Sequence, residues 1–195
     1  IIPISEEKDM SELKPSFTTV AFRTANKAMS SMCHAGLVHY KEGQESAVFE
    51  SFVNQMKTEK ITNKNYSFDK LAGSPMFREF TPVLEKEMTK GDVIVTFGVK
   101  NNMRILKETL QSLKPYDFFF IDVEDLFKVA FKGKVKKITL ENVAEHFGMT
   151  VDMENPVSEA KVIGEILLKM YSEDRVFQRD IRNKIKLQRF VEFAR

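Results

Sequence analysis

The residues that could do chemistry in this chain are few and scattered. Histidine occurs at His34, His39 and His146, and Cys33 is the single cysteine. Carboxylates stand at the ends of apolar segments: Asp122 closes FFFID, and Glu154 and Glu159 flank Pro156. Carboxylate oxygens are the ligands that hard cations such as Mg²⁺ prefer. His34 and His39 are five residues apart on one β-type segment, an odd separation that puts them on opposite faces and argues against a shared metal site. Cys33 lies within an apolar segment and reads as a packing residue. His146 precedes Gly148 near a helix end, where its charge would favour the helix dipole. Asp122 has two readings, a displaced metal ligand or a side-chain cap for the helix that follows.

The elements that must position these groups are legible from periodicity. Phe17–Arg23, Cys33–Tyr40 and Ala47–Val53 read as strands. The short KEGQ connection implies a hairpin between the second and third. TANKAMSS is too short for a crossover helix, so the first two strands are expected to be antiparallel as well. Residues 56–65 read as a surface loop. Met76–Met88 carries a helical stripe, DVIVTF reads as a buried strand, Lys100–Leu113 as a helix, and DFFFID as a second buried strand. VEDLFKVAFKG and ITLENVAEHFG read as helices, each stopped by glycine. From Pro156 to Arg195 one long helix, or two in tandem, is expected. Three meandering strands followed by helix, strand, helix, strand and helices predict a mixed sheet covered by helices on both faces.

With 195 residues, an apolar fraction of 43% and a charged fraction of 30%, the chain suits a globular domain with an extension. A net charge of +2 favours neither nucleic acid nor an acidic partner in bulk. One cysteine permits no internal disulfide, which fits a reducing, cytoplasmic setting. IIPISEEKDM lacks the layout of a secretory signal, and no run reaches the ~20 apolar residues of a membrane span. A start at Ile1 leaves room for a neighbouring domain in a longer protein.

Several stretches, in order, resemble one bacterial branch of the DEDD-type 3′–5′ exonucleases, in the DEDDh, proofreading-like group. VAFRTAN resembles the first motif, a strand with Asp-x-Glu followed by Thr-Ala-Asn, and SSMCHAGLVHYKEGQ resembles the hairpin after it. VIVTFGVKNNMRILKETL resembles the second motif, an apolar strand leading into a helix that carries Asp. FFFIDVEDLFK and KKITLENVAEHFGMT resemble the elements before the last motif. MENPVSEAKVIGEILLKM resembles that motif, His-x-Ala-x-x-Asp-Ala on the final helix. The resemblance implies a ribonuclease H-like mixed five-stranded sheet with helices on both faces, plus a C-terminal helical extension. It divides the chain into an arm (1–16), an exonuclease-like domain (17–171) and a basic helix (172–195).

The resemblance also implies a pair of divalent cations clamping a phosphate. The motif-one Asp and Glu fall on Ala21 and Arg23, the motif-two Asp on Asn102, and the last-helix His and Asp on Glu154 and Glu159. Only Glu159 keeps a carboxylate in place. Arg23 is expected to pair with Glu159 or Glu154, replacing the metal cluster by a salt bridge.

Three functions compete on these residues: a degenerate fold acting as an interaction or scaffold module, a non-cleaving nucleic-acid binder, and an active exonuclease using the shifted acids Asp122, Glu154 and Glu159. No cofactor is expected on the first two readings; Mg²⁺ or Mn²⁺ is on the third. The expected partners are a protein or a second copy, single-stranded nucleic acid, and no membrane. The tail sets Arg175, Arg179, Arg182, Lys184, Lys186, Arg189 and Arg195 around a seam of Phe177, Ile181, Ile185 and Phe190. It reads either as a packed helix with a solvated basic face or as a docking helix. Lys132–Lys137, KGKVKK, reads as an exposed basic loop.

Overall fold

The computed structural model describes residues 16–55, 60–90, 93–110, 118–173 and 189–190. Most of the proposed arm, and the tail from 174 to 188 and from 191 to 195, lie outside these residues. Strands β1 (Phe17–Thr24), β2 (Met32–Lys41) and β3 (Gln44–Phe52) come first. Helices α1 (Phe68–Leu71) and α2 (Phe77–Met88) precede β4 (Val93–Thr96), α3 (Val99–Thr109) and β5 (Phe118–Asp122). Then follow α4 (Val123–Ala130), α5 (Leu140–His146), α6 (Pro156–Glu173) and β6 (Arg189–Phe190).

The strands form one sheet in the order β3-β2-β1-β4-β5-β6. β1 runs antiparallel to β2 and β2 to β3, whereas β1–β4 and β4–β5 are parallel. The β2–β3 hairpin turns on Glu42 and Gly43, whose φ of 51° and 75° satisfy the two-residue turn that matches strand twist. The mixed sheet built from the five expected strands is thus as predicted, and β6 adds a sixth at its edge. Two details differ. The one-turn helix α1 sits in a stretch with no apolar periodicity to announce it, and Arg189–Phe190 is a strand, antiparallel to β5, where a helix is expected. A two-residue strand has no alternation to read, because its conformation comes from pairing with a distant edge.

Both sheet faces are buried, which is why the central strands read as unbroken apolar runs. On one face Phe17, Ala21, Val38, Tyr40 and Val95 pack against α4, α5 and α6. On the other Val20, Phe22, Leu37, Ile94 and Phe120 pack against α2 and α3. α6 lies very close to the sheet. A Cβ on Gly36 would come within 2.6 Å of the backbone of Pro156 and Val157, and one on Gly164 within 2.4 Å of the Tyr40 ring. Gly36 is the cross-strand neighbour of Ala21. The missing side chain on β2 therefore lets the start of α6 settle beside the C-terminal half of β1.

Candidate functional site

Odd-numbered residues of β1 face α6, so Ala21 and Arg23 point to the same side two residues apart. Ala21 is fully buried in the core with Ala160 and Ile163. Arg23 reaches α6, with Nη2 2.5 Å from Glu159 Oε2. The same Nη2 donates to the Met153 carbonyl at 2.6 Å, and Nη1 donates to the Phe22 carbonyl at 3.0 Å. Arg23 thus pairs with Glu159, one of its two expected partners. The contact is a close ion pair whose hydrogen bond is poorly aligned, because the same guanidinium donates to two backbone carbonyls. Burial lifts the Glu159 carboxyl above the usual carboxylate range, and the Arg23 guanidinium offsets this only in part.

The other positions are engaged elsewhere. Glu154 is exposed, in a turn held by its own N–H donating to Asp152 Oδ1 at 3.0 Å. It precedes α6 rather than standing on it, because the helix begins at Pro156, which suits a first turn whose N–H groups are unpaired. Asn102, in the first turn of α3, donates its amide N–H to the Thr96 hydroxyl, which donates to the Val20 carbonyl at 3.4 Å. Asp122 caps α4, accepting from Glu124 N–H at 3.0 Å. It also accepts from Gly98 N–H at 3.0 Å and Val99 N–H at 2.9 Å, tying the β4–α3 turn to the β5–α4 turn. Burial raises its pKa, and these three donors pull it back.

Divalent cations do not suit these residues. Ala21 has no donor atom, Asn102 offers at most a neutral oxygen, and Asp122 is spent on backbone N–H groups. Glu159, the only motif-matched carboxylate, lies against a permanent cation. Two unit charges at about 4 Å interact by roughly 4 kcal/mol at an effective dielectric near 20, and a divalent ion beside Arg23 would feel about twice that as repulsion. Among the described residues no three His, Cys, Asp or Glu side chains gather around a point that could hold an ion.

His34 and His39 face opposite sides of the sheet, as their spacing predicts. His39 is bonded to Thr18 Oγ1 at 2.8 Å and Glu87 Oε2 at 3.0 Å on the α2 side. His34 is bonded to the Tyr66 hydroxyl and to Glu50 Oε1, both at 2.8 Å, and stacks on Phe52 with ring centroids 4.0 Å apart. Lys70 Nζ lies 4.9 Å from the Tyr66 centroid. This His34 cluster, on the same face as Arg23, has no signature in the chain: Tyr66 comes from a loop, Glu50 and Phe52 from β3, and Lys70 from α1. Cys33 is buried and its thiol is pushed up to about 12, so it is an inert packing residue. His146 ends α5 with its ring edge-on to Phe127, Phe131 and Phe147. Lys132–Lys137 lies in an exposed loop, and no described helix is long and apolar enough to cross a membrane.

No protein-family model and no curated protein matches the sequence. Solved structures do match. The nuclease domain of 3′hExo, a DEDDh family member bound to rAMP, is 14% identical, with 80% of this chain and 90% of that one covered and a TM-score of 0.63. E. coli exonuclease I in complex with a dA13 oligonucleotide is 9% identical over 88% of this chain and 45% of its own, with a TM-score of 0.73. Exonuclease X in complex with 5′ overhanging duplex DNA is 11% identical over 85% and 98%, with a TM-score of 0.64. The chain has the ribonuclease H-like fold of the DEDD-type 3′–5′ exonucleases.

Proposed function

We propose that this chain is a catalytically degenerate 3′–5′ exonuclease-like domain that acts by binding, as an interaction or scaffold module that keeps some affinity for single-stranded nucleic acid. The observation that carries the reading is the Arg23–Glu159 ion pair beside Ala21. It puts a guanidinium and a methyl group at positions where the resemblance calls for two cation-binding carboxylates. Nucleic-acid binding is supported by the fold, since exonuclease I and exonuclease X are seen with an oligonucleotide and a duplex. Strand cleavage would have to run through Asp122, Glu154 and Glu159. The first is bound to three backbone N–H groups, the second is exposed in a turn, and the third is paired with Arg23.

The test combines two measurements on the whole chain. Labelled single-stranded DNA and RNA, incubated with Mn²⁺ or Mg²⁺, are expected to stay intact, while filter retention of the same strands falls steeply with added salt as phosphate contacts are screened. Calorimetric titration with Mn²⁺ is expected to be flat. Shortening of a strand from its 3′ end, lost in Glu159→Gln, would overturn the degenerate reading and establish the exonuclease.

A further inference from the structure

Arg23 holds the turn at 152–155 against the end of β1. Its Nη2 donates to the Met153 carbonyl at 2.6 Å, across 130 positions of sequence. The other hydrogen bonds that shape the turn are local. Glu154 N–H donates to Asp152 Oδ1 at 3.0 Å, Asn155 N–H to the Asp152 carbonyl at 3.2 Å, and Asp152 N–H to Ser158 Oγ at 3.1 Å. Residues 152–155 are exposed, while Val151 before them packs on the core and Pro156 after them is buried. The turn is thus anchored at both ends, and among the described residues its hydrogen bonding to the sheet is the bond from Arg23. That hold is weak for a guanidinium. The acceptors of Nη1 and Nη2 are neutral carbonyls, of Phe22 and Met153, and the Glu159 carboxylate meets Nη2 in poor alignment. Charged acceptors in a paired, planar arrangement bind this group more strongly. Arg23 also keeps 19% of its side chain accessible.

We propose that Arg23 is a phosphate-binding residue held closed in the free protein: a phosphate group of a single strand takes the guanidinium from the Met153 carbonyl, and turn 152–155 is released. A phosphate offers the paired, charged oxygens that a guanidinium fork matches. Divalent cations do not suit the residues around Ala21 and Asn102, so the guanidinium meets the phosphate with no ion between them. Glu159 opposes the incoming charge. Release of the turn works the other way, since Glu154 adjoins Met153 and its carboxylate moves off with the turn. This use of Arg23 rests on the nucleic-acid binding proposed above, and adds where the strand is gripped and what gives way.

A nitroxide label on Met153→Cys reads the turn directly. The substitution keeps the backbone carbonyl, and Cys33, the single native cysteine, is buried. In the whole chain, with divalent ions chelated, the label is expected to move slowly. Oligothymidylate should shift it to fast motion, with filter retention of the same sample recording whether the strand is bound. Inorganic phosphate at equal phosphate concentration distinguishes the sources: release by both assigns the phosphate group alone, and release by the oligonucleotide only assigns a phosphate held in a strand. Either supports the proposal. In the background Arg23→Met, Glu159→Leu, which removes both charges together and so leaves neither one buried alone, the label should start fast and its response should be lost. A label that is already fast in the parent, or that stays slow while the strand is retained, would overturn the latch and leave nucleic-acid binding standing. So would a double variant that responds as the parent does. A strand that is not retained at all would overturn the binding itself, and the latch with it.

Discussion

Two glutamates tie a helix to the sheet, one on each face, and they behave in opposite ways. Glu87 on α2 holds His39 Nε2 at 3.0 Å through Oε2 and Lys90 Nζ at 2.5 Å through Oε1. Although desolvation acts against it, these two donors hold its carboxyl below the usual range. Glu159 on α6 lies deeper and has Arg23 as its countercharge, but the guanidinium N–H groups are aimed at the carbonyls of Met153 and Phe22. Its carboxyl ends above the usual range. Similar chemistry thus yields a fastener in one place and an uneasy pair in the other. The difference lies in hydrogen-bond direction and depth, which decide whether a buried charge is satisfied.

The largest expected effect follows from breaking the uneasy pair. Arg23→Ala leaves the Glu159 carboxyl buried without a countercharge and should cost about 3 kcal/mol in urea unfolding at neutral pH. A group whose folded pKa lies above its unfolded value stabilises below the unfolded pKa and loses that contribution as pH rises through the folded one. The deficit of Arg23→Ala should therefore shrink as pH falls toward 4.5, the ordinary glutamate value. The double variant Arg23→Met, Glu159→Leu, which replaces the pair by apolar side chains, should return to within about 1 kcal/mol of the parent. If instead the double variant is as unstable as the single one, the pair is a fastener after all and the contrast with Glu87 disappears.

Next in size is Gly36→Ala. Its new methyl would meet the backbone of Pro156 and Val157, which cannot rotate away as a side chain could. A loss of about 2 kcal/mol is expected from thermal or urea unfolding, together with displacement of the α6 start from Arg23. On the other face, Glu87→Gln keeps the shape and weakens two charge-assisted bonds, and should cost about 1 kcal/mol.

The smallest effect sharpens the comparison by adding a third buried titratable group. Burial lowers the pKa of His34 below its ordinary 6.5, against the pull of Glu50. A depressed pKa gives stability that is present above 6.5 and lost as pH falls through the folded value. The urea midpoint should decline below pH 6.5, and His34→Asn should remove that part of the slope.

How much of this was legible in the chain differs from element to element. Strands β1, β2, β4 and β5 and helices α2, α3, α4, α5 and α6 announce themselves because burial imposes a period of two, a period of 3.6 or an unbroken apolar run, and Gly and Pro mark their ends. The cap at Asp122 is visible as one of two readings, since an acid between an apolar strand and a helix has a local duty to perform. Its bonds to Gly98 and Val99 are not visible, because they join two turns that are adjacent only in the sheet. Arg23–Glu159 could be foreseen as a charge match between motif positions, but not the choice of Glu159 over Glu154. That choice depends on where α6 begins and on how closely Gly36 lets it approach.

The amino-acid order by itself determined which residues alternate, which runs are apolar throughout and where turns must fall, because those follow from backbone geometry and burial over a few residues. It also determined that carboxylates are scarce at the motif positions, a matter of residue identity alone. Only the tertiary structure decided which charges meet, how deeply they sit, and that β3 stands at the end of the described sheet. Those outcomes depend on distances between segments far apart in the chain, and no local spacing encodes a distance across a fold.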